Sequence, residues 1–163
     1  MSTVYEMPRF SNPTLRVLGS GWKVSGIVRL LSGGYLNVLS GIDRALQSGT
    51  QRPNLVLLDV YTPNRSYDQY LNPAAFAQPA LGTFGNIGSF NIKGPGRITI
   101  NMGLTRIFQV REKQSVEFRA EAFNLPNRLN AGDPNITLSD ANFGRILSAD
   151  DPRIMQFALK YVF

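Results

Sequence analysis

The sequence predicts an all-β fold: an antiparallel up-and-down meander that makes part of a transmembrane β-barrel, with two long outward-facing loops. Three observations predict it. Several segments alternate apolar and polar side chains with the period of two that belongs to strands, most cleanly over residues 115–122 and 152–163. Connections between these segments alternate short and long, as when every second connection lies on the same side of a barrel. The polar faces also carry charges of alternating sign, which a wet lumen tolerates and a dry sandwich core does not.

In chain order, residues 2–7 read as the end of a strand closed by Pro8, and residues 9–21 as a short connector. Residues 22–39 form the next strand region. Trp22, Val24, Gly26, Val28 and Leu30 lie on one face; Lys23, Ser25, Ile27, Arg29 and Leu31 lie on the other. Gly33 and Gly34 interrupt the run, as a hairpin turn or as a bulge within one long strand. Periodicity then disappears over residues 41–96, a length that compact domains avoid but the outer loops of membrane barrels reach. A helical turn is expected at residues 43–47.

Alternation returns at Arg97. Ile98, Ile100, Met102, Leu104 and Phe108 share a face opposite Arg97, Thr99, Asn101, Gly103, Thr105 and Gln109. Arg106 breaks the apolar face, as a long cation near the end of a membrane strand does. A charged turn over residues 111–114 leads to a strand with Val116, Phe118, Ala120 and Ala122 on one side. Ser115, Glu117, Arg119 and Glu121 lie on the other, which makes Glu117, Arg119 and Glu121 lumen-facing in a barrel. A second long loop spans residues 124–151. The closing strand, residues 152–163, puts Met155, Phe157, Leu159, Tyr161 and Phe163 on one face. Its length is roughly 40 Å, which crosses about 28 Å at a tilt near 45°.

Five strands do not close a membrane barrel, whose smallest members have about eight, and open sheet edges do not sit in hydrocarbon. The expectation is therefore a single domain, residues 1–163, that forms one part of a longer barrel. The opening MSTVYEMPRF lacks the basic and apolar regions of a signal peptide. That leaves a cytoplasmic protein, or a gene product that starts upstream of Met1.

Composition excludes most chemistry. Cysteine and histidine are absent, which removes disulfides, thiolate nucleophiles, the usual zinc sites and imidazole acid-base catalysis. The formal charge of +6 comes from Lys and Arg residues scattered singly, so a nucleic-acid partner is not expected. Asp133, Asn135, Thr137 and Ser139 fall at alternate positions of a calcium loop, but Leu138 and Gly144 stand where glycine and glutamate are required. Turn chemistry explains them better. Glu117 and Glu121 resemble a catalytic carboxylate pair, yet Arg119 between them reads as charge balance. The chain is expected to be neither an enzyme nor a binder of a cofactor or metal. Trp22, Tyr35, Phe108, Tyr161 and Phe163 are candidate interface aromatics, with core packing the rival for Trp22 and Phe108.

Several stretches resemble the carboxyl-terminal end of TonB-dependent outer-membrane receptors, in the Oar-like group that carries a carboxypeptidase-regulatory-like domain. They are GWKVSGIVRLLSGG (21–34), LNPAAFAQPALGTFGNIG (71–88), KGPGRITINMGLTRIF (93–108), EFRAEAFNLPNRLN (117–130) and NFGRILSADDPRIMQFALKYVF (142–163). The resemblance implies a 22-stranded receptor barrel in the outer membrane of a Gram-negative bacterium, of which these residues are about the last five strands. It implies that Leu159, Tyr161 and Phe163 are the signal read by the barrel assembly machinery. No plug domain, TonB box or signal sequence matches within these residues, so the TonB complex is expected to engage only through a plug outside them. Outer-membrane lipid is the remaining expected partner. Asn64, Arg65, Tyr67, Tyr70, Asn127 and Arg128 are the exposed loop residues nominated for ligand contact.

The alternative is a soluble β-sandwich or small barrel acting as a binding module, with its core made from faces that include Phe118, Phe157 and Leu159. The two readings separate in the test tube. The barrel reading expects heat-modifiable migration on gels and strand content only in detergent or lipid; a folded, monodisperse protein in plain buffer would overturn it.

Overall fold

The alternating segments do form strands, and each pairs with its predecessor. The computed structural model describes residues 1–163 except 9, 13–15, 17, 18 and 91, so part of the connector read over residues 9–21 lies outside the described residues. In chain order the strands are β1 (Ser2–Glu6), β2 (Trp22–Leu31), β3 (Tyr35–Leu36), β4 (Asn54–Leu55), β5 (Phe76–Ala77), β6 (Ile92–Lys93), β7 (Arg97–Arg111), β8 (Gln114–Phe123) and β9 (Ile154–Val162). The long ones make a five-stranded sheet in the order β1-β2-β7-β8-β9, a meander that is all-β and not closed. Only Glu112 and Lys113 separate β7 from β8, and a register shift between Gln109 and Arg111 leads into that tight turn. On the turn's side the connector between β1 and β2 joins those two strands, and β9 ends there.

The chain divides into two compact units. The first comprises Met1–Leu30, Ile98–Leu129 and Asp151–Phe163, and holds the meander. The second comprises Leu31–Arg97 and Asn130–Asp150, and holds the two aperiodic stretches. These stretches are not structureless. Val38, Tyr70, Leu71, Ala75, Phe76, Ile87, Ile92 and Phe143 form a buried cluster, with Phe76 and Phe143 meeting edge to face at 5.3 Å. Leu36, Leu55, Val60, Tyr61, Leu138 and Ile146 pack around it. Its strands are two residues long, β3 pairing β6 and β4 pairing β5. Elsewhere single bridges join its backbone, such as Leu39 with Thr137 and Tyr61 with Leu71.

The later stretch is stitched to the earlier one along its length. Leu39 N–H donates to Ile136 O and Leu138 N–H to Leu39 O. Tyr70 and Leu71 N–H groups both donate to Gly144 O, at 2.9 and 3.1 Å, while Gly144 N–H donates to Asn135 O at 2.8 Å. Ile146 N–H donates to Tyr67 O, and Arg145 pairs with Asp68 at 2.9 Å. At the crossing, Gly144 has a φ of +76°, and a Cβ there would stand 2.9 Å from Leu71 O and 3.0 Å from Leu71 Cβ. Both the left-handed backbone and the close approach require glycine.

Two expectations are corrected. Residues 22–39 are not one strand, and Gly33-Gly34 is neither a hairpin turn nor a bulge within it. β2 ends at Leu31, and the chain restarts as β3 in the second unit. Any Cβ on Gly33 would overlap the Gly94 carbonyl, so the pair marks where two backbones touch. Residues 43–47 make bends rather than a helical turn. There the Asp43 carboxylate accepts from Ser48 N–H at 2.8 Å, from Gln47 N–H at 3.3 Å and from the Gln51 amide. Desolvation pushes its pKa up, but these donors together outweigh it and hold the carboxyl below its ordinary value.

Gly144→Ala is expected to cost the second unit about 1–3 kcal/mol through backbone strain alone. Hydrogen exchange should then accelerate across residues 135–146 while the meander keeps its protection. Unchanged protection across that segment would show that the Gly144 crossing does not order it.

Candidate functional site

The meander's register lays its side chains out in rows. On one face, Phe108, Val116 and Tyr161 stand in line across β7, β8 and β9, followed by Arg106, Phe118 and Leu159. Leu104, Ala120 and Phe157 come next, then Met102, Ala122 and Met155. The other face carries Ile107, Glu117 and Lys160 in one row, Thr105, Arg119 and Ala158 in the next, and Gly103, Glu121 and Gln156 in the third. The lumen-facing assignments of the sequence, Glu117, Arg119 and Glu121, therefore share the polar face. Glu117 and Arg119 pair at 2.9 Å, and Lys160 stands directly across from Glu117. Further along that face Glu6 and Lys23, register partners in β1 and β2, pair at 3.2 Å.

No core covers the apolar face. Phe157 is 67% and Leu159 74% exposed, so the residues that a soluble sandwich would have to bury stand open. From Ile98 to Phe108 this face extends about 33 Å along β7, or roughly 25 Å at a tilt near 40°, the height of a membrane barrel's apolar band. Its aromatic residues gather toward the turn between β7 and β8. Trp22 packs edge-on against Phe108 at 6.4 Å and Phe118 at 6.1 Å, and Tyr161 lies 6.0 Å from Phe163. The Arg106 guanidinium sits over the Phe108 ring at 4.5 Å and the Trp22 ring at 5.2 Å.

The second unit carries a different constellation. Tyr61 accepts a hydrogen bond from Lys93 N–H at 2.7 Å through its hydroxyl, which donates back to Lys93 O at 3.2 Å. Tyr70 donates to the same carbonyl at 3.1 Å. The two rings meet edge to face at 5.8 Å, and the Arg65 guanidinium lies 4.0 Å from the centre of the Tyr61 ring. Burial and the neighbouring Tyr61 push the Tyr70 hydroxyl up, against the opposing effect of Arg65, so Tyr70 stays a proton donor at neutral pH. Arg65 borders two recesses. One, of about 650 Å³, is lined by Leu57, Asp59, Val60, Tyr61, Pro63 and Asn72; the other, of about 320 Å³, by Ser66, Tyr67, Tyr70 and Ile146.

Of the nominated loop residues, Arg65, Tyr67 and Tyr70 come together here, with Asn64 exposed in the adjoining turn; Tyr70, expected to be exposed, is instead buried in the loop core. Asn127 and Arg128 belong to the first unit, in a turn that follows β8. Its organiser is the buried Asn124, whose side chain accepts from Arg128 N–H at 3.1 Å and donates to Arg128 O at 2.9 Å and Asp151 O at 3.2 Å. Asn127 has a φ of +52° and accepts from Arg153 N–H at 3.0 Å. Sequence reading missed Tyr61, although the run of tyrosines in YTPNRSYDQY signalled an aromatic cluster. The residues with calcium-loop spacing make turns: Asn135 Oδ1 accepts from Thr137 N–H at 2.9 Å, and the Gly144 backbone holds Tyr70 and Leu71.

A family described as an outer membrane beta barrel domain matches residues 1–156. The chain belongs to that family. No curated protein and no solved structure matches it. Membership places the protein in the outer membrane of a Gram-negative bacterium. The apolar rows of this outer membrane β-barrel domain are suited to lipid, the charged rows to a wet lumen, and the aromatic band to a membrane-water boundary. The tight turn between β7 and β8 is of the periplasmic kind, and the long connections after β2 and β8 are of the extracellular kind.

Tyr61→Phe should expose the Lys93 N–H and accelerate its exchange about tenfold, the effect of losing one hydrogen bond of about 1.4 kcal/mol. Tyr70→Phe should leave that amide protected, because it removes only a donor to the carbonyl. Equal exchange in the two variants would show that the Tyr61 hydroxyl does not hold β6.

Proposed function

We propose that this barrel domain is the carboxyl-terminal part of a TonB-dependent receptor of the Oar-like group, and that it takes up a ligand captured outside the cell. The observation that carries the reading is the second unit: more than half of the chain is spent on connections with a core of their own. A barrel wall needs no such unit to span the membrane. Long extracellular loops that fold around recesses are suited to capture, and the Arg65, Tyr67 and Tyr70 edge of these recesses offers a cation and aromatic faces to a ligand. The chain has no catalytic role in this reading.

Two further features support a larger barrel. β1 and β9 stand at the sheet's edges, and hydrocarbon allows neither edge to remain unpaired, so further strands must flank both. Leu159, Tyr161 and Phe163 present one apolar, aromatic stripe at the turn side of β9, the pattern that would be read by the barrel assembly machinery. Contact with the TonB complex belongs to a plug domain outside these residues, so residues 1–163 alone would not transport.

The reading is tested at the locus and at the membrane. An in-frame sequence upstream of Met1 should encode further alternating strands and a plug, and an antibody against residues 130–150 should detect a heat-modifiable species several times larger than this chain. A stop codon and ribosome-binding site directly before Met1, with a heat-modifiable 163-residue product, would overturn it.

A further inference from the structure

Arg106 is the cation that the rows of β7, β8 and β9 from Met102 to Phe108 place on the lipid face. A lipid-facing arginine costs about 2–4 kcal/mol at the bilayer midplane but about 0–1 kcal/mol near the interface. Its depth therefore decides what it meets. Arg106 lies one row inside the Phe108, Val116 and Tyr161 row, on the side of the short turn. Its guanidinium leans over Phe108 at 4.5 Å, which carries the charge toward the turn and away from Leu104 and Met102. Trp22, from β2, closes the other side at 5.2 Å. The group is thus carried to the boundary and oriented by two rings.

The neighbourhood selects an anion of a particular source. Rings held against the guanidinium engage its faces, while its five N–H donors lie in its plane, so protein contacts and an anionic oxygen can share them. The lipid face of β7, β8 and β9 contains no Asp or Glu side chain among its described residues. A membrane's own anion at this depth is the phosphate of a glycerophospholipid. Guanidinium and phosphate form charge-assisted, bidentate hydrogen bonds, and the acyl chains below it would lie against Leu104, Phe157 and Leu159.

We propose that Arg106, framed by Trp22 and Phe108, is a binding site for the phosphate of a glycerophospholipid in the periplasmic leaflet. The site holds one lipid at the rim and fixes the depth of the barrel wall. It rests on membership of the outer membrane barrel family and on the turn's periplasmic side; it does not depend on the transport reading.

The protein is purified from outer membranes in an uncharged maltoside and incubated with phosphatidylglycerol carrying a diazirine beside its glycerol. After illumination, labelled peptides are quantified by mass spectrometry. Labelling is expected within residues 98–119 and should fall about tenfold in Arg106→Leu, the effect of one charge-assisted hydrogen bond, with a smaller loss in Arg106→Lys. Heat-modifiable migration of each variant reports folding, and Arg106→Gln replaces the leucine variant if that one fails to insert. Photoreactive diacylglycerol, which lacks phosphate, should label wild type and variants alike. Unchanged labelling in folded Arg106→Leu would overturn the site, as would equal dependence of diacylglycerol on Arg106. Competition by millimolar inorganic phosphate would overturn the lipid as its occupant.

Discussion

Hydrocarbon offers a backbone amide no partner, and the arrangement of this chain follows from that constraint. Each spanning strand must be paired along its length, so the wall is a meander with long, continuous registers rather than a collection of short bridges. Continuous register, in turn, lines side chains up in rows, and period two sorts the rows onto two faces. The medium then decides their polarity. Leu104, Phe157 and Leu159 share the face suited to lipid, and Glu117, Arg119 and Glu121, with Lys160 across from Glu117, the face suited to a wet lumen. The inversion relative to a soluble sheet explains why residues as large as Phe157 are left uncovered by protein.

The second unit obeys the opposite rule, and so looks different in every respect. Bathed in water, its apolar residues must collapse on one another, and its backbone can end a pairing after two residues because water satisfies what remains. Leu71 and Ile92 are fully buried, and the hydrogen bonds that bring residues 130–150 onto residues 31–97 come one or two at a time. Such stitches depend on particular positions. Gly144 serves as donor to one segment and acceptor for another, and has no side chain because Leu71 occupies the space.

These two regimes account for what the sequence disclosed. The five long strands were legible because alternation persists over many residues, and their ends were misplaced only where a local contact stopped them, as at Gly33. The charged face of β8 was legible because Glu117, Arg119 and Glu121 follow one another at spacing two. The loop core was not: Val38, Leu71, Phe76, Ile92 and Phe143 are neighbours through long-range contacts between two-residue strands, which leave no period to read. The recess was half visible. Arg65, Tyr67 and Tyr70 stand close in the chain, whereas the tie from Tyr61 to Lys93 spans a long sequence separation. Asn127 and Arg128 drew attention as polar loop residues, but polarity alone does not distinguish a ligand contact from the capping of a turn by Asn124.

The balance of charge on the wall bears on where discrimination between solutes would arise. Along the lumen face Glu6 is matched by Lys23, and Glu117 by Arg119 and Lys160, so opposite signs alternate within a few ångströms. Fields from such pairs cancel over about a Debye length of 8–10 Å, leaving that strip of wall wet and polar without a strong preference for either sign. In the second unit Arg65 lies against the Tyr61 ring, so a quadrupole holds its charge, while Asp59 lines the same recess. A solute drawn to a cation beside aromatic faces would meet that chemistry in the loops, whereas on the wall the comparable group, Arg106 with Trp22 and Phe108, lies on the apolar face. In the receptor reading proposed above, recognition would belong to the unit that folds by the hydrophobic effect, and passage to the one that folds by backbone pairing.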